Sequence, residues 1–247
     1  MSGTSLDGID FAVVDFQLIN GKWKFQINET QTYSYSKEWF EKLKFAAKLS
    51  KIELDNLNNE YTFYLNQQIN RFIKEFKITN LDAIASHGHT ILHNPKEGFT
   101  LQIGNLPELK NGFDIPIVCD FRVQDVKFGG QGAPLVPIGD RLLFSEFDFC
   151  LNLGGFSNIS YEIAGVRIAY DISPVNTVLN FFTNQIGLEY DDNGDIASKG
   201  NIHFDLLENL NANDFYQKSF PKSLGIEFVF NEVLPIINGF NIKIQDI

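Results

Sequence analysis

From Ile9 to Leu18 the chain runs IDFAVVDFQL, a β-branched and aromatic stretch that predicts a strand. Asn20-Gly21 follows, the strongest short signal for a hairpin turn. Trp23 to Tyr35 then alternates polar and apolar residues and predicts a second strand, with room for a third. Lys37 to Phe76 contains no Pro, and apolar residues recur at helical spacing, as in Trp39, Phe40, Leu43 and Ala46. That stretch predicts two helices separated at Asn56-Leu57-Asn58-Asn59. Leu81 to Ala85 and Ile115 to Phe121 read as short buried strands, with Ser86-His87-Gly88-His89-Thr90 as the loop after the first.

A second unit opens at Phe147. Its pattern is strand (Phe147 to Leu153), Gly154-Gly155, strand (Phe156 to Ile163), a turn at Ala164-Gly165, strand (Val166 to Ile172), then a helix from Thr177 to Ile186. The first unit shows the same order of Gly-bearing loop, strand, Asn-Gly turn and strand. This is an approximate internal duplication, carried by element order rather than residue identity. The second Gly loop has a strand ahead of it, and likeness between the units leads one to expect such a strand ahead of the first. The expected division is residues 1–145 and 146–247.

Composition sets the class. The 247 residues are 44% hydrophobic and 21% charged, a globular balance that suits two domains. No apolar run is long enough for a membrane helix, and the N-terminus has neither the basic start nor the apolar stretch of a signal peptide. Two cysteines, Cys119 and Cys150, form no disulfide framework, so a reducing cytoplasm is expected. The net charge of -11 argues against a nucleic-acid partner, since affinity for phosphate backbones comes from Lys and Arg. It leaves nucleotides open, because backbone N–H groups and a metal ion can hold a phosphate.

Five constellations carry candidate chemistry. Gly3-Thr4-Ser5-Leu6-Asp7-Gly8-Ile9-Asp10 offers glycines for close backbone approach, hydroxyl donors, and two carboxylates suited to Mg²⁺. The same letters fit a polar hairpin loop. Gly154-Gly155 between apolar strands suits a tight turn or a ligand-contacting loop. Asp120 ends an apolar strand and suits a general base, or an ion pair with Arg122. His87, His89 and His93 lack a further ligand at zinc spacing and read as a polar loop with hydrogen bonds for a ligand. In Asp171-Ile172-Ser173-Pro174-Val175-Asn176, Asp or Asn is positioned to cap the following helix.

Taken in order, MSGTSLDGID (Met1 to Asp10), SHGHT (Ser86 to Thr90), TLQIG (Thr100 to Gly104), Asp120 to Arg122, GGQGAPLVP (Gly129 to Pro137), NLGGFSNIS (Asn152 to Ser160) and PKSLGIE (Pro221 to Glu227) resemble the anhydro-N-acetylmuramic acid kinase family. The resemblance covers essentially the whole chain. It implies an α/β, two-domain actin-like ATPase fold of ribonuclease H-like type, each domain a mixed sheet flanked by helices, with the second domain incomplete. It implies an ATP-dependent kinase that opens the 1,6-anhydro bond of its sugar with water and phosphorylates O6. By the resemblance, Gly3, Thr4, Ser5, Leu6, Asp7, Gly8, Ile9 and Asp10 form the first ATP loop, and Gly154 and Gly155 the second. Asp7 and Asp10 would serve Mg²⁺, and Asp120 would be the catalytic base. His87, His89, Arg122, Asp171 and Asn176 would contact the sugar.

This chain departs from the family where His89 stands for a usual Gln, and where Ile172, Ser173 and Val175 interrupt a usual Asp-Thr-Gly-Pro-Gly-Asn. The family also continues past Ile247, which makes a noncatalytic sugar-binding protein the alternative and leads one to expect uncovered apolar surface on the second unit. A homodimer fits the resemblance.

Overall fold

The computed structural model describes the chain except residues 3–5, 7, 95–96, 131 and 133–135. It is a mixed α/β protein that divides into two units, Met1–Leu135 and Val136–Ile247.

In the first unit the alternating residues fold into one long hairpin. Strand β1 (Gly8–Ile19) pairs antiparallel with β2 (Lys22–Ser34). Asn20 and Gly21 both take positive φ, 51° and 76°, as a two-residue turn between right-twisted strands requires. Between Val13 and Val14 the register slips past Asn28, but β2 runs on unbroken, so residues 22–34 form one strand and not two.

Helix α1 (Lys37–Phe45) starts at a Ser36 side-chain cap. Helix α2 (Lys51–Glu75) starts at Ser50, whose hydroxyl accepts from Glu53 N–H while the Glu53 carboxylate accepts from Ser50 N–H. The break expected at Asn56 to Asn59 is therefore placed wrongly: the capping box sets the boundary upstream. Asn58 lies inside α2, where its Oδ1 accepts the Gly104 N–H at 2.8 Å. Leu54, Leu57, Tyr61, Leu65 and Ile69 form the apolar stripe of α2 and pack with Ile9 and Ile103.

Short strands β3 (Ile84–Ala85) and β6 (Ile117–Val118) pair in parallel. Between them, β4 (His89–Asn94) and β5 (Phe99–Ile103) form a hairpin. His89 and Thr90, expected in a loop, begin a strand. The loop is confined to 86–88, where Gly88 takes φ +67° and an added Cβ would strike the Ile103 carbonyl at 2.5 Å. Phe121, expected in a strand, opens helix α3 (Phe121–Lys127).

The second unit begins with α4 (Val136–Leu143), followed by β7 (Phe149–Leu153), β8 (Phe156–Ile163) and β9 (Val166–Pro174) in one antiparallel sheet. The division falls earlier than residue 145 because α4 is tied to this sheet. The Asp140 carboxylate accepts from the Ser160 hydroxyl and lies 3.7 Å from the Arg167 guanidinium. Helix α5 (Asn176–Gln185), α6 (Phe204–Asn211) and the helical segment 226–238 enclose a core of Val178, Phe182, Leu206, Val229, Val233, Leu234 and Ile237. Phe149, Leu151 and Leu153, on one face of β7, are 62%, 57% and 60% exposed. Among the described residues no helix is long and apolar enough to cross a membrane.

Candidate active site

The N-terminal loop is closed at its base by backbone pairing. Asp10 N–H donates to the Met1 carbonyl at 2.7 Å, and the Met1 nitrogen donates back to the Asp10 carbonyl. Ser2 is buried, and its Oγ shares one hydrogen bond with Tyr35 OH (2.6 Å) and another with His89 Nδ1 (2.7 Å). Tyr35 OH in turn meets Tyr61 OH at 2.6 Å. Hydroxyls of Tyr61 on α2 and Tyr35 just after β2, with the His89 ring of β4, thus fix the point where the loop begins.

Gly3, Thr4, Ser5 and Asp7 lie outside the described residues. Leu6 takes φ +58°, a left-handed conformation that is rare for a branched side chain and typical of loops under functional constraint. Gly8 is required by packing, since a Cβ there would collide with the Tyr33 carbonyl. The Ile9 side chain is 1% exposed and belongs to the core, so only its backbone is available to a nucleotide. Asp10 is exposed, and its Oδ1 accepts the Thr32 hydroxyl at 2.7 Å. Among the described residues no three His, Cys, Asp or Glu side chains converge on a metal site. The exposed Asp10 carboxylate is of a kind that fits Mg²⁺, which is commonly held by one or two carboxylates plus substrate phosphates.

The second cluster gathers at the ends of β3 and β6. Asp120 stands just beyond β6 at φ 61°, ψ 28°, heading α3 without capping it. Its exposed carboxylate is therefore not consumed by the helix. Asn105 Nδ2 donates to Asp120 Oδ1 at 3.2 Å, while Asn105 Oδ1 accepts the Ser86 hydroxyl at 3.1 Å. Asn105 thereby couples the carboxylate to the β3 loop.

In the first turn of α3, Arg122 Nε donates to His87 Nε2 at 2.7 Å and its Nη1 donates to the Gly132 carbonyl at 2.6 Å. Asp125 takes the Gly132 N–H at 2.7 Å, and a Cβ on Gly130 would run into the Asp125 carboxylate. Arg122 and Asp125 together hold Gly132 by its carbonyl and its N–H.

Electrostatics fixes the proton positions. His87 Nδ1–H donates to the Gly88 carbonyl at 3.0 Å, so Nε2 is the lone-pair nitrogen that receives Arg122. Burial, and to a smaller degree the Arg122 charge, hold the His87 pKa below the usual value for imidazole. His89 is 2% exposed, and burial, followed by the His87 charge, lowers it to about 4. Burial likewise lowers His93 and Arg122. Burial raises the Cys119 thiol, with the Asp120 charge adding to the effect. Near neutral pH the His87 and His89 rings are neutral.

In the second unit Gly154 and Gly155 hold the start of α5. The Gly155 carbonyl accepts the N–H groups of Val175 (2.9 Å) and Thr177 (3.1 Å), and the Gly154 carbonyl accepts that of Asn176 (3.3 Å). A Cβ on Gly155 would lie 2.7 Å from Thr177 Oγ1, which explains that glycine by packing. Capping by Asp171 or Asn176 does not occur: α5 has no side-chain cap, because the glycine carbonyls already take its first N–H groups. Asp171 Oδ2 instead accepts the Leu224 N–H at 2.8 Å, tying β9 to the 221–227 segment, and burial raises its pKa.

Asp120, His87 and Arg122 are thus brought together with Asn105, Ser86 and Asp125, whose parts sequence reasoning missed. The available signal was their position within or beside SHGHT, TLQIG and the Asp120–Arg122 segment. His89, grouped with the sugar contacts, has its ring turned inward onto Ser2.

A sequence profile described as Anhydro-N-acetylmuramic acid kinase matches residues 1–238. An anhydro-N-acetylmuramic acid kinase of Haemophilus influenzae is 35% identical over 245 residues, covering 94% of this chain and 63% of its own length. One from Zymomonas mobilis is 36% identical over 243 residues, covering 91% of this chain and 66% of its own. One from Mannheimia succiniciproducens is 37% identical over 242 residues, covering 94% and 64%. The chain spans just under two thirds of the length of these curated relatives.

Proposed function

The chain belongs to the anhydro-N-acetylmuramic acid kinase family, and from that premise we propose that the protein carrying it converts 1,6-anhydro-N-acetylmuramic acid and ATP to N-acetylmuramic acid 6-phosphate and ADP. The reaction belongs to the recycling of cell-wall peptidoglycan in the cytoplasm. The observation that carries the reading is Asp120: an exposed carboxylate at a strand end, positioned by Asn105 and adjacent to an Arg122 whose fork is held in place.

In this reading Asp120 accepts a proton from water, and the water oxygen bonds to the anomeric carbon as the bond from that carbon to O6 breaks. The released O6 then attacks the γ-phosphorus of ATP, and ADP leaves. Arg122 and His87 orient the sugar, with Arg122 held in a fixed plane. His89 anchors the phosphate loop through Ser2 rather than touching the sugar. Residues 3–10 and the Gly154-Gly155 loop hold the nucleotide phosphates, largely through backbone N–H groups. Asp10, with Asp7, would hold Mg²⁺, which supplies charge neutralisation at the phosphates when bound. Most of the catalysis is then positioning and charge stabilisation. The two units are halves of an actin-like, ribonuclease H-like pair.

The test is phosphorus NMR of the protein incubated with the anhydro sugar, ATP and Mg²⁺. A new phosphomonoester that disappears in Asp120→Asn supports the reading. Sugar binding without any phosphorylated product overturns it.

A further inference from the structure

Ser86 follows β3 directly and is buried. Its N–H donates to the Val118 carbonyl at 2.8 Å, so it rides on the same parallel β3–β6 pair that carries Asp120, two residues beyond Val118. Its Oγ accepts the Gly88 N–H at 3.3 Å and donates to Asn105 Oδ1 at 3.1 Å. A hydroxyl that receives a backbone N–H still has its own proton to give, and here the proton goes to Asn105.

The Asn105 amide is the next link. Its Nδ2 donates to Asp120 Oδ1 at 3.2 Å and to the His87 carbonyl at 3.4 Å. Flipped, the amide would turn its oxygen onto a carboxylate and a carbonyl, so the network allows one orientation. Gly88 leaves the room for it: a Cβ there would lie 2.9 Å from Asn105 Nδ2. The backbone beside Asn105 is fixed from α2, through the Gly104 N–H bonded to Asn58 Oδ1.

Hydrogen-bond donation therefore runs one way, from the Gly88 N–H to Ser86, from Ser86 to Asn105, and from Asn105 to Asp120. An exposed carboxylate has several rotamers open to it, and a bond from a fixed donor selects one. Asn105 is a fixed donor only while both ends of its amide are held, and Ser86 holds the oxygen end.

We propose that Ser86 is a positioning residue for the base: through Asn105 it sets the rotamer of Asp120, and it touches neither the water nor the sugar. The inference rests on the reading of Asp120 as the general base.

The experiment is a double-mutant cycle on the kinase reaction with Ser86→Ala, Asn105→Ala and the pair. Ser86→Ala should lower kcat about tenfold with KM for the sugar unchanged, since misplacing a catalytic group costs turnover. In the Asn105→Ala background it should cost less than about twofold, because the link it acts through is gone. Asn105→Asp keeps the Ser86 bond but turns an acceptor toward Asp120, and should lower kcat about a hundredfold. That variant carries the test alone if Ser86→Ala does not fold.

A second readout needs no turnover: the NMR order parameter of the Asn105 side-chain amide. It should lie near about 0.85 in the wild type and fall below about 0.6 in Ser86→Ala. Wild-type protein that forms no product would sink the catalytic reading, and the order parameters would still decide whether Ser86 holds the amide. Wild-type kcat in Ser86→Ala or Asn105→Asp would overturn the proposal. So would a raised KM in Ser86→Ala, a Ser86→Ala effect that persists without Asn105, or an unchanged order parameter.

Discussion

His89 gives this chain a dependence on acid that a glutamine at the same position would not. Unfolded, the imidazole titrates near 6.5; folded, it is 2% exposed and titrates at about 4. Above pH 6.5 the ring is neutral in both states and contributes no pH dependence. Between pH 6.5 and 4 the unfolded chain binds a proton that the folded chain refuses, so stability falls as pH falls, and the loss is complete below pH 4. At 1.36 kcal/mol per pH unit the loss is about 3 kcal/mol. For a chain of this size that corresponds to roughly 6–12 °C in thermal midpoint.

The perturbation is His89→Gln, which removes the titration and keeps a side chain able to bond Ser2. Thermal unfolding of both proteins is followed from pH 7.5 to 4. Carboxylates, His87 and His93 titrate in both, so the difference between the curves isolates His89. The expected result is a gap that moves by about 3 kcal/mol against the wild type between pH 6.5 and 4. Parallel curves over that range would refute the argument that a buried, neutral His89 anchors the loop.

Three further outcomes follow from the same structure. Gly104 takes φ +93°, and an added Cβ would sit 2.7 Å from the Tyr61 ring, so Gly104→Ala should cost about 3 kcal/mol in urea unfolding. Arg122→Lys loses the fork that grips His87 and Gly132 at once; limited proteolysis within 129–132 should speed up and kcat/KM should fall roughly tenfold while the thermal midpoint holds. Asp140→Ala leaves Arg167 without its carboxylate partner in a mostly buried setting, and should destabilise the second unit by about 3 kcal/mol in denaturant melts.

The hairpin of β1 and β2 was legible because strand period and the Asn20-Gly21 turn pointed the same way. The three-stranded sheet of the second unit was legible for the same reason, with Ala164-Gly165 as its turn. Where local and tertiary preferences diverged, reading the sequence alone failed. Asn56 to Asn59 looked like a breaker, yet Asn58 finds its partner in the Gly104 backbone, which only the fold brings near. Asp171 and Asn176 looked like caps, but the glycine carbonyls and Leu224 took those bonds first.

The site shows the same division. Asp120 was visible as a carboxylate ending an apolar run. Its left-handed backbone, and the Asn105 bridge that positions it, depend on contacts between segments far apart in sequence. His89 was visible as a polar residue of a motif, but its direction was not, because SHGHT carries no sign that its second histidine starts a strand facing Ser2.

The most direct test of the central claim is to run the reaction in ¹⁸O-water and locate the label. Water activated by Asp120 should place ¹⁸O on the anomeric carbon of the sugar phosphate and leave the phosphate group unlabelled. Label found in inorganic phosphate, with the anhydro sugar unchanged, would mean that water attacks ATP instead, and would contradict the account.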